Sequence, residues 1–339
     1  MKKMIILALC MLLVAAMLLT GCNPAMQASE SGGSGASESD DAVADGETTA
    51  ANDDSGAEQI VIGASFQNLQ NEYIKQLADV IEAKAGKANV KLLVSDGEGD
   101  AATQVSAIEN FISQGADAII LNPYDKDGCV PAAQKAAEAG IPIVVLVAHL
   151  TDESMIDSYV GSSDVTAGEL EMQRIADAIG GKGNICVIEG PTGISAAAER
   201  QEGINNILEK YPDIKIIYSQ PADWDRAKAM NLMENWLQTG EEISAVVAHN
   251  DEMALGAFKA LEAANKAEQV PVIGIDGIPD SLNSVKAGGL NATVFQNSTS
   301  QAETAFEVAQ KLANGEKVEK LYDIPFELVT SENIDDYLS

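Results

Sequence analysis

The sequence predicts an α/β protein made of two doubly wound parallel sheets, and three observations carry that expectation. From about Gln59 onward, short β-branched runs alternate with longer helical patterns, the order that builds βαβ units. The runs are continuously apolar, as expected of strands with helices on both faces. The alternation also starts again after Tyr159 to Gly161, and the roughly 280 residues involved would make one core unusually large.

In the first half the expected strands are Ile60 to Ala64, Val90 to Ser95, Ala118 to Asn122 and Ile143 to Val147. Helices are expected near Asn71 to Ala85, Ala101 to Gln114 and Gly128 to Ala139. In the second half a helix follows Asp164, and strands are expected at Asn184 to Glu189, Ile214 to Ser219, Ala245 to Ala248, Val270 to Ile275 and Ala292 to Phe295. The intervening helices lie near Ser195 to Lys210, Asp225 to Gln238, Met253 to Ala264 and Pro279 to Ala287. A last helix, Thr299 to Ala313, and a strand, Phe326 to Val329, close the chain.

Ahead of this region lies an export signal. Lys2 and Lys3 precede an apolar run that ends in Leu19-Thr20-Gly21-Cys22, with the charged start and small residues of a cleaved leader. The run is short for a membrane span. Its ending resembles a bacterial lipobox, which implies a signal peptide over 1–21, cleavage before Cys22, and acylation of that thiol. From Asn23 to about Glu58 the chain is mostly Ser, Gly, Ala, Asp and Glu, with almost nothing apolar and no basic residue. Such a segment cannot offset its ordering entropy and is expected to remain a disordered tether over 22–58. About 36 residues of this kind span roughly 30 to 36 Å as a flexible coil.

The net charge is −31, which argues against nucleic acid as a partner, since phosphates need Lys and Arg. It also argues against contact with anionic lipid beyond the acyl anchor. Of four cysteines, Cys10 leaves with the signal and Cys22 carries lipid. Cys129 and Cys186 fall in different α/β units and read as buried small hydrophobes.

Catalytic signatures are weak. Gly97-Glu98-Gly99-Asp100-Ala101-Ala102 formally fits a dinucleotide fingerprint, but Glu98 and Asp100 would face the pyrophosphate. A turn in which Asp100 caps the next helix is the better expectation. His149 and His249 are the only histidines and have no metal-ligand spacing. There is no nucleophile elbow or Walker loop. Neither an enzyme nor a cofactor is expected.

A set of polar and aromatic residues falls at strand-to-helix turns instead: Tyr73, Asn122, His149, Trp224, Asn250, Asp276 and Gln296. In open α/β sheets ligands bind at the carboxyl ends of strands. Aromatic faces suit the C–H faces of a sugar, and amides and carboxylates suit its hydroxyls. The turn at Val246 to Gly256, with Asn250 at its strand end, shows the pattern most clearly.

At these residues the chain resembles the ribose-binding branch of the type I periplasmic binding proteins, over essentially all of Gln59 to Ser331. The pieces that carry the likeness are Ile119-Ile120-Leu121-Asn122-Pro123, Ser195-Ala196-Ala197 with Glu199-Arg200, and Ser219 to Arg226. Asn250 to Ala257 and Gly274-Ile275-Asp276-Gly277 complete the set. The resemblance implies two lobes joined by a three-crossing hinge, with the ligand cleft between them. Crossings are expected near Ser163, Gln296 to Asn297, and Pro325 to Phe326. The N-terminal lobe would then comprise 59–163 and 297–325, and the C-terminal lobe 164–296 and 326–339.

Carried over by position, Tyr73 and Trp224 match aromatics that sandwich the sugar. Asn71, Asn250, Asp276 and Gln296 match residues that bond its hydroxyls. The family's Asp-Arg pair is Val147-Ala148 here, and its ligand arginine falls at Ala198, while Arg200 matches a second, non-ligand arginine. Each charged hydrogen bond lost is worth roughly 1.5 to 3 kcal/mol. A bulkier, ring-modified or less hydroxylated ligand than ribose is therefore expected, with His149 and Arg200 as candidates to fill the vacated space. With the lipobox, the expectation is a lipid-anchored monomer on the extracytoplasmic face of a bacterial membrane, and the resemblance implies that it delivers a neutral sugar or polyol to an ABC permease and ATPase. The alternative is a sensor subunit that presents its closed form to a membrane receptor or kinase.

Overall fold

The computed structural model describes residues 59–338, so the expected leader, Cys22 and the whole of the expected tether lie outside it. Two six-stranded sheets organise these residues. The first half runs β1 (Val61–Phe66), α1 (Glu72–Ala88), β2 (Lys91–Asp96), α2 (Ala101–Ser113), β3 (Ala118–Leu121), α3 (Val130–Glu138), β4 (Ile143–Leu146) and β5 (Ser158–Gly161). The second half runs α4 (Asp164–Ala178), β6 (Gly183–Glu189), α5 (Ser195–Leu208), β7 (Ile214–Pro221), α6 (Arg226–Gln238), β8 (Ala245–Ala248) and α7 (Asp251–Ala263). It continues with β9 (Val272–Asp276), α8 (Pro279–Lys286) and β10 (Ala292–Phe295). Then come α9 (Ser298–Ala313), β11 (Leu321–Asp323), β12 (Glu327–Val329) and a short 3-10 turn at Ile334–Asp336.

The strand orders are β11-β5-β4-β3-β1-β2 and β12-β10-β9-β8-β6-β7. All pairings are parallel except β10 with β12. The central strands β3, β4 and β8 are buried along their whole length, the pattern of a sheet covered on both faces. Helices start where a polar side chain takes over a free backbone donor. Asn71, Asp100, Ser163, Asp225, Asn250 and Asn297 each accept from the amide three residues on, an arrangement typically worth about 1 kcal/mol per helix. Asp100 therefore caps α2, as the turn reading of the Gly97 segment expects. Cys129 and Cys186 are buried free thiols.

The chain passes between the sheets three times: between β5 and α4, between β10 and α9, and between β11 and β12. Helix α9 packs on α1, β3 and β4 of the first sheet, and the chain then adds β11 to that sheet's edge. Strand β11 was not among the expected elements. It is three residues long, its Leu321 is 60% exposed, and it has no apolar alternation to announce it. Among the described residues no helix is long and apolar enough to cross a membrane.

Candidate functional site

The carboxyl ends of the two sheets face one another, and the residues there enclose a cleft. Its inner part is lined by Gln67, Asn71, Tyr73, Ile74, Val147, Ala148, Ile194, Ala196, Arg200, Trp224, Asn250, Asp276 and Gln296. Six of the seven residues expected to contact a ligand are brought together here: Asn71, Tyr73, Trp224, Asn250, Asp276 and Gln296. His149 does not line this space. Its ring stacks on Tyr159 with centroids 3.8 Å apart, and its Nδ1 bonds Glu153 at 2.8 Å. Asn122 is likewise structural, since its amide donates to the carbonyl of Leu146 and its oxygen accepts from the amide of Gln67.

The largest correction concerns α5. Ala198, the position matched to a ligand arginine, is exposed, whereas Arg200 is 3% exposed and lines the cleft. Two residues along a helix are about 200° apart around its axis. When Ala196 faces the cleft, Arg200 one turn on faces it too, and Ala198 points away. The cleft therefore keeps a guanidinium. Arg200 donates from Nε to Asp164 at 2.7 Å, from one terminal nitrogen to the carbonyl of His249, and from the other to Gln296 Oε1 at 3.3 Å. Asp276 stands 3.9 Å from it, and the face of Trp224 lies 5.6 Å away, within cation–π range.

One cation sits among several buried carboxyls. Burial pushes Asp276 well above the usual carboxylate range against the lowering effect of Arg200. Burial does the same to Glu171, on the Arg200 side of α4. A carboxyl that retains its proton can donate as well as accept. The backbone at Asp276 is strained, with φ at 133°, and Asp251 holds the turn that follows it. Its carboxylate accepts from the amides of Gly277 and Ile278 at 2.7 and 3.1 Å and from the hydroxyl of Thr293 at 2.8 Å. His249, fully buried, is pushed down to about 3 by burial and by Arg200, and its Nδ1 accepts from the amide of Gly190.

The amides share one polarity. The oxygens of Asn71 and Asn250 are committed to capping α1 and α7, and the oxygen of Gln296 to Arg200. What each has left is its NH2 group. The Gln296 nitrogen and the Gln67 oxygen are buried without any protein partner. Buried polar atoms are nearly always hydrogen-bonded, so these two call for a bound hydroxyl or water. Gln67 was not among the expected contacts, although it is a polar residue one position past a strand end.

The same space has an apolar part lined by Val147, Ala148, Ile194 and Ala196. Val147 has φ at 70°, and the amide of Ala148 donates back to the carbonyl of Leu146 at 2.9 Å. This γ-turn is uncommon for a β-branched residue. Tyr159 fastens it, its hydroxyl donating to the carbonyl of Val147 at 2.6 Å.

The inner space measures about 30 Å³, room for a water or two. A sugar ring needs more, so the cleft must widen to admit one. An outer mouth of about 660 Å³ adjoins it at Gln67, Asn71 and Trp224. Among the described residues, two hydrogen bonds cross the cleft between the lobes: the Lys126 amide to the Gly193 carbonyl at 3.0 Å and the His149 amide to Ser195 Oγ at 2.8 Å. A larger hollow of about 810 Å³ lies beside α7 and α8 and shares none of the inner cleft residues.

Residues 62–317 match the model of the periplasmic binding protein domain. The chain belongs to the periplasmic binding protein family. A xylitol-binding protein of Mycolicibacterium smegmatis is 38% identical over 290 residues, covering 85% of this chain and 80% of the relative. The ribose import binding protein RbsB of Bacillus subtilis is 36% identical over 274 residues, covering 81% of this chain and 88% of its own. Among solved structures, an ABC transporter solute-binding protein from Bacillus halodurans C-125 with bound myo-inositol superposes with a TM-score of 0.80 at 40% identity. It covers 82% of this chain and 97% of that one. These are type I members of the family, with the same two-lobed α/β plan seen here.

Proposed function

We propose that this periplasmic binding protein captures a neutral sugar or polyol between its lobes and delivers it to an ABC importer. The observation that carries the reading is the pair of buried, unpartnered polar atoms on Gln296 and Gln67 in a cleft flanked by Tyr73 and Trp224. Hydroxyls satisfy both a donor and an acceptor, and aromatic faces take the C–H surface between them. The relatives named for import support the importer over the sensor alternative. No catalytic step is needed. Ligand bonded to both lobes stabilises the closed state, and closure is what a transporter reads.

The apolar part of the cleft at Val147 and Ala148 favours a ligand that shows hydrocarbon surface as well as hydroxyls. Retention of Arg200 makes the departure from a ribose site smaller than the sequence comparison implies. Xylitol, myo-inositol and ribose, the ligands in the relatives' names, form the first panel for thermal-shift and calorimetric titration. A bound ligand raises the melting temperature by mass action. If neither this panel nor a wider set of sugars and polyols shifts it, the reading fails.

In this reading the N-terminal lobe is 59–163 with 297–325 and the C-terminal lobe 164–296 with 326–339. Cys22 carries the lipid that holds a monomer on the extracytoplasmic face of the membrane.

A further inference from the structure

A chain of buried hydrogen bonds leads away from the cleft. The Tyr73 hydroxyl donates to Gln301 Oε1. Gln301 Nε2 donates to Ser162 Oγ at 2.7 Å, and the Ser162 hydroxyl donates to the carbonyl of Ile324. Tyr73 is 4% exposed, Gln301 fully buried and Ser162 3% exposed. Each link therefore works in a low-dielectric setting, where a lost partner is expensive.

The ends of this chain are what matter. Tyr73 lines the cleft. Ser162 lies in the first crossing between the lobes, just after β5, and Ile324 in the third, just after β11. Gln301 belongs to the first turn of α9, directly after the second crossing, and its amide bonds the carbonyl of Asn297 in that crossing at 3.0 Å. Every donor in the series points the same way, so the Tyr73 hydroxyl cannot shift without lengthening a bond to Gln301 or drawing Gln301 with it. On the other lobe, Arg200 joins the cleft to Asp164, which opens α4, and to Gln296 at the second crossing.

We propose that Gln301 is a positioning residue that couples the cleft wall at Tyr73 to the hinge at Ser162 and Ile324, and so sets the balance between open and closed lobes. It is not among the residues that line the inner cleft. Its role is to make the hinge strands sense where the Tyr73 ring lies. The inference rests on the reading of the cleft as one that closes on its ligand, and it is testable without that ligand.

The two hydrogen bonds that cross between the lobes supply a reporter. The amides of Lys126 and His149 are bonded to the opposite lobe, so they exchange with solvent deuterium whenever the lobes part. The amide of Ile324, bonded to the carbonyl of Gly161 at 2.8 Å, reports on the hinge. The amides of Val246 and Val247, in the buried strand β8, serve as an internal control.

Hydrogen exchange is followed by mass spectrometry on the full-length, ligand-free chain and its Tyr73→Phe, Gln301→Leu and double variants. Tyr73→Phe removes one hydroxyl and keeps the ring, so it folds even if Gln301→Leu does not. Each single variant is expected to speed exchange at Lys126, His149 and Ile324 by about fivefold, the factor carried by one net hydrogen bond. The double variant is expected to match the singles, because both changes cut the same chain. Unchanged exchange at Lys126 and His149 in Tyr73→Phe overturns the proposal. So does a double variant faster by about twenty-five-fold, the product of independent effects, or an equal rise at Val246 and Val247. Failure of every sugar and polyol to protect Lys126 and His149 in the unaltered chain counts against the binding reading and leaves the comparison of variants standing.

Discussion

Arg200 Nε donates to Asp164 Oδ1 at 2.7 Å, with both side chains at least 96% buried. The pair joins a cleft-lining arginine to the residue that begins α4 at the first crossing. Breaking a buried pair by removing one partner leaves the other charge unsolvated and costs about 3 to 5 kcal/mol. Arg200→Met is therefore expected to destabilise the protein on that scale in urea unfolding, and adding Asp164→Asn is expected to recover part of the loss. If the single variant unfolds at the same urea concentration as the parent, the bond is not structural.

Trp224 is placed by the absence of a side chain at Gly190. A Cβ there would lie 2.1 Å from the Trp224 ring, so Gly190→Ala must displace the indole. Trp224→Ala is expected to abolish measurable binding of whichever sugar or polyol the panel identifies, with folding intact. Gly190→Ala is expected to weaken the same binding at least tenfold, about 1.4 kcal/mol. Calorimetry and far-ultraviolet circular dichroism on both variants check this, and unchanged affinity in Trp224→Ala removes that residue from the site.

Glu171 and Glu199, like Asp276, make contributions to stability that fall as pH rises. Glu171 is fully buried, and neither oxygen has a protein partner. Burial holds its proton on well above the ordinary value of 4.5. Glu199 is raised from 4.5 to about 7, first by desolvation and then by Asp164. Between these limits each of the two groups keeps in the native chain a proton that the unfolded chain has released, so its own contribution to the unfolding free energy declines as pH rises. Glu171→Met is expected to stabilise the protein more at pH 8 than at pH 5, and Glu199→Gln to flatten the decline between about pH 4.5 and 7. Melting temperatures of the three proteins across this range decide it. A parent slope that both variants leave unchanged assigns the effect elsewhere.

In the proposed reading, membrane attachment depends on acylation of Cys22. Expressed in a bacterial host, the unaltered chain is expected in the membrane fraction and to incorporate labelled palmitate. Cys22→Ser is expected to lose the label and remain as uncleaved precursor. Label retained by Cys22→Ser would place the acyl chain on another residue.

Much of the architecture was legible in sequence because it is written in local patterns. The apolar runs of Ile143 to Leu146 and Ala245 to Ala248 announce strands buried on both faces. Capping residues such as Asp100, Asp225 and Asn250 mark helix starts through a bond that reaches only three residues. The polar residues at strand ends were legible for the same reason. A doubly wound sheet gathers its carboxyl-terminal turns on one edge whatever the ligand. The edge strand Leu321–Asp323 was not legible, because it is held by pairing with β5 and not by any pattern of its own.

By itself the sequence determined most of the strand and helix order, without β11, and the six cleft residues from Asn71 to Gln296; it also raises the expectation of export and lipidation signals at the start. Only the tertiary structure decided how those residues are used. It turned Arg200 into the cleft and Ala198 out of it, because helix phase is set by what α5 packs against. It withdrew His149 to Glu153 and Tyr159, committed the oxygens of Asn71, Asn250 and Gln296 within the protein, and connected Tyr73 through Gln301 to the hinge. These are contacts between residues as much as 228 positions apart, and a local pattern carries no information about partners that only folding brings within bonding distance.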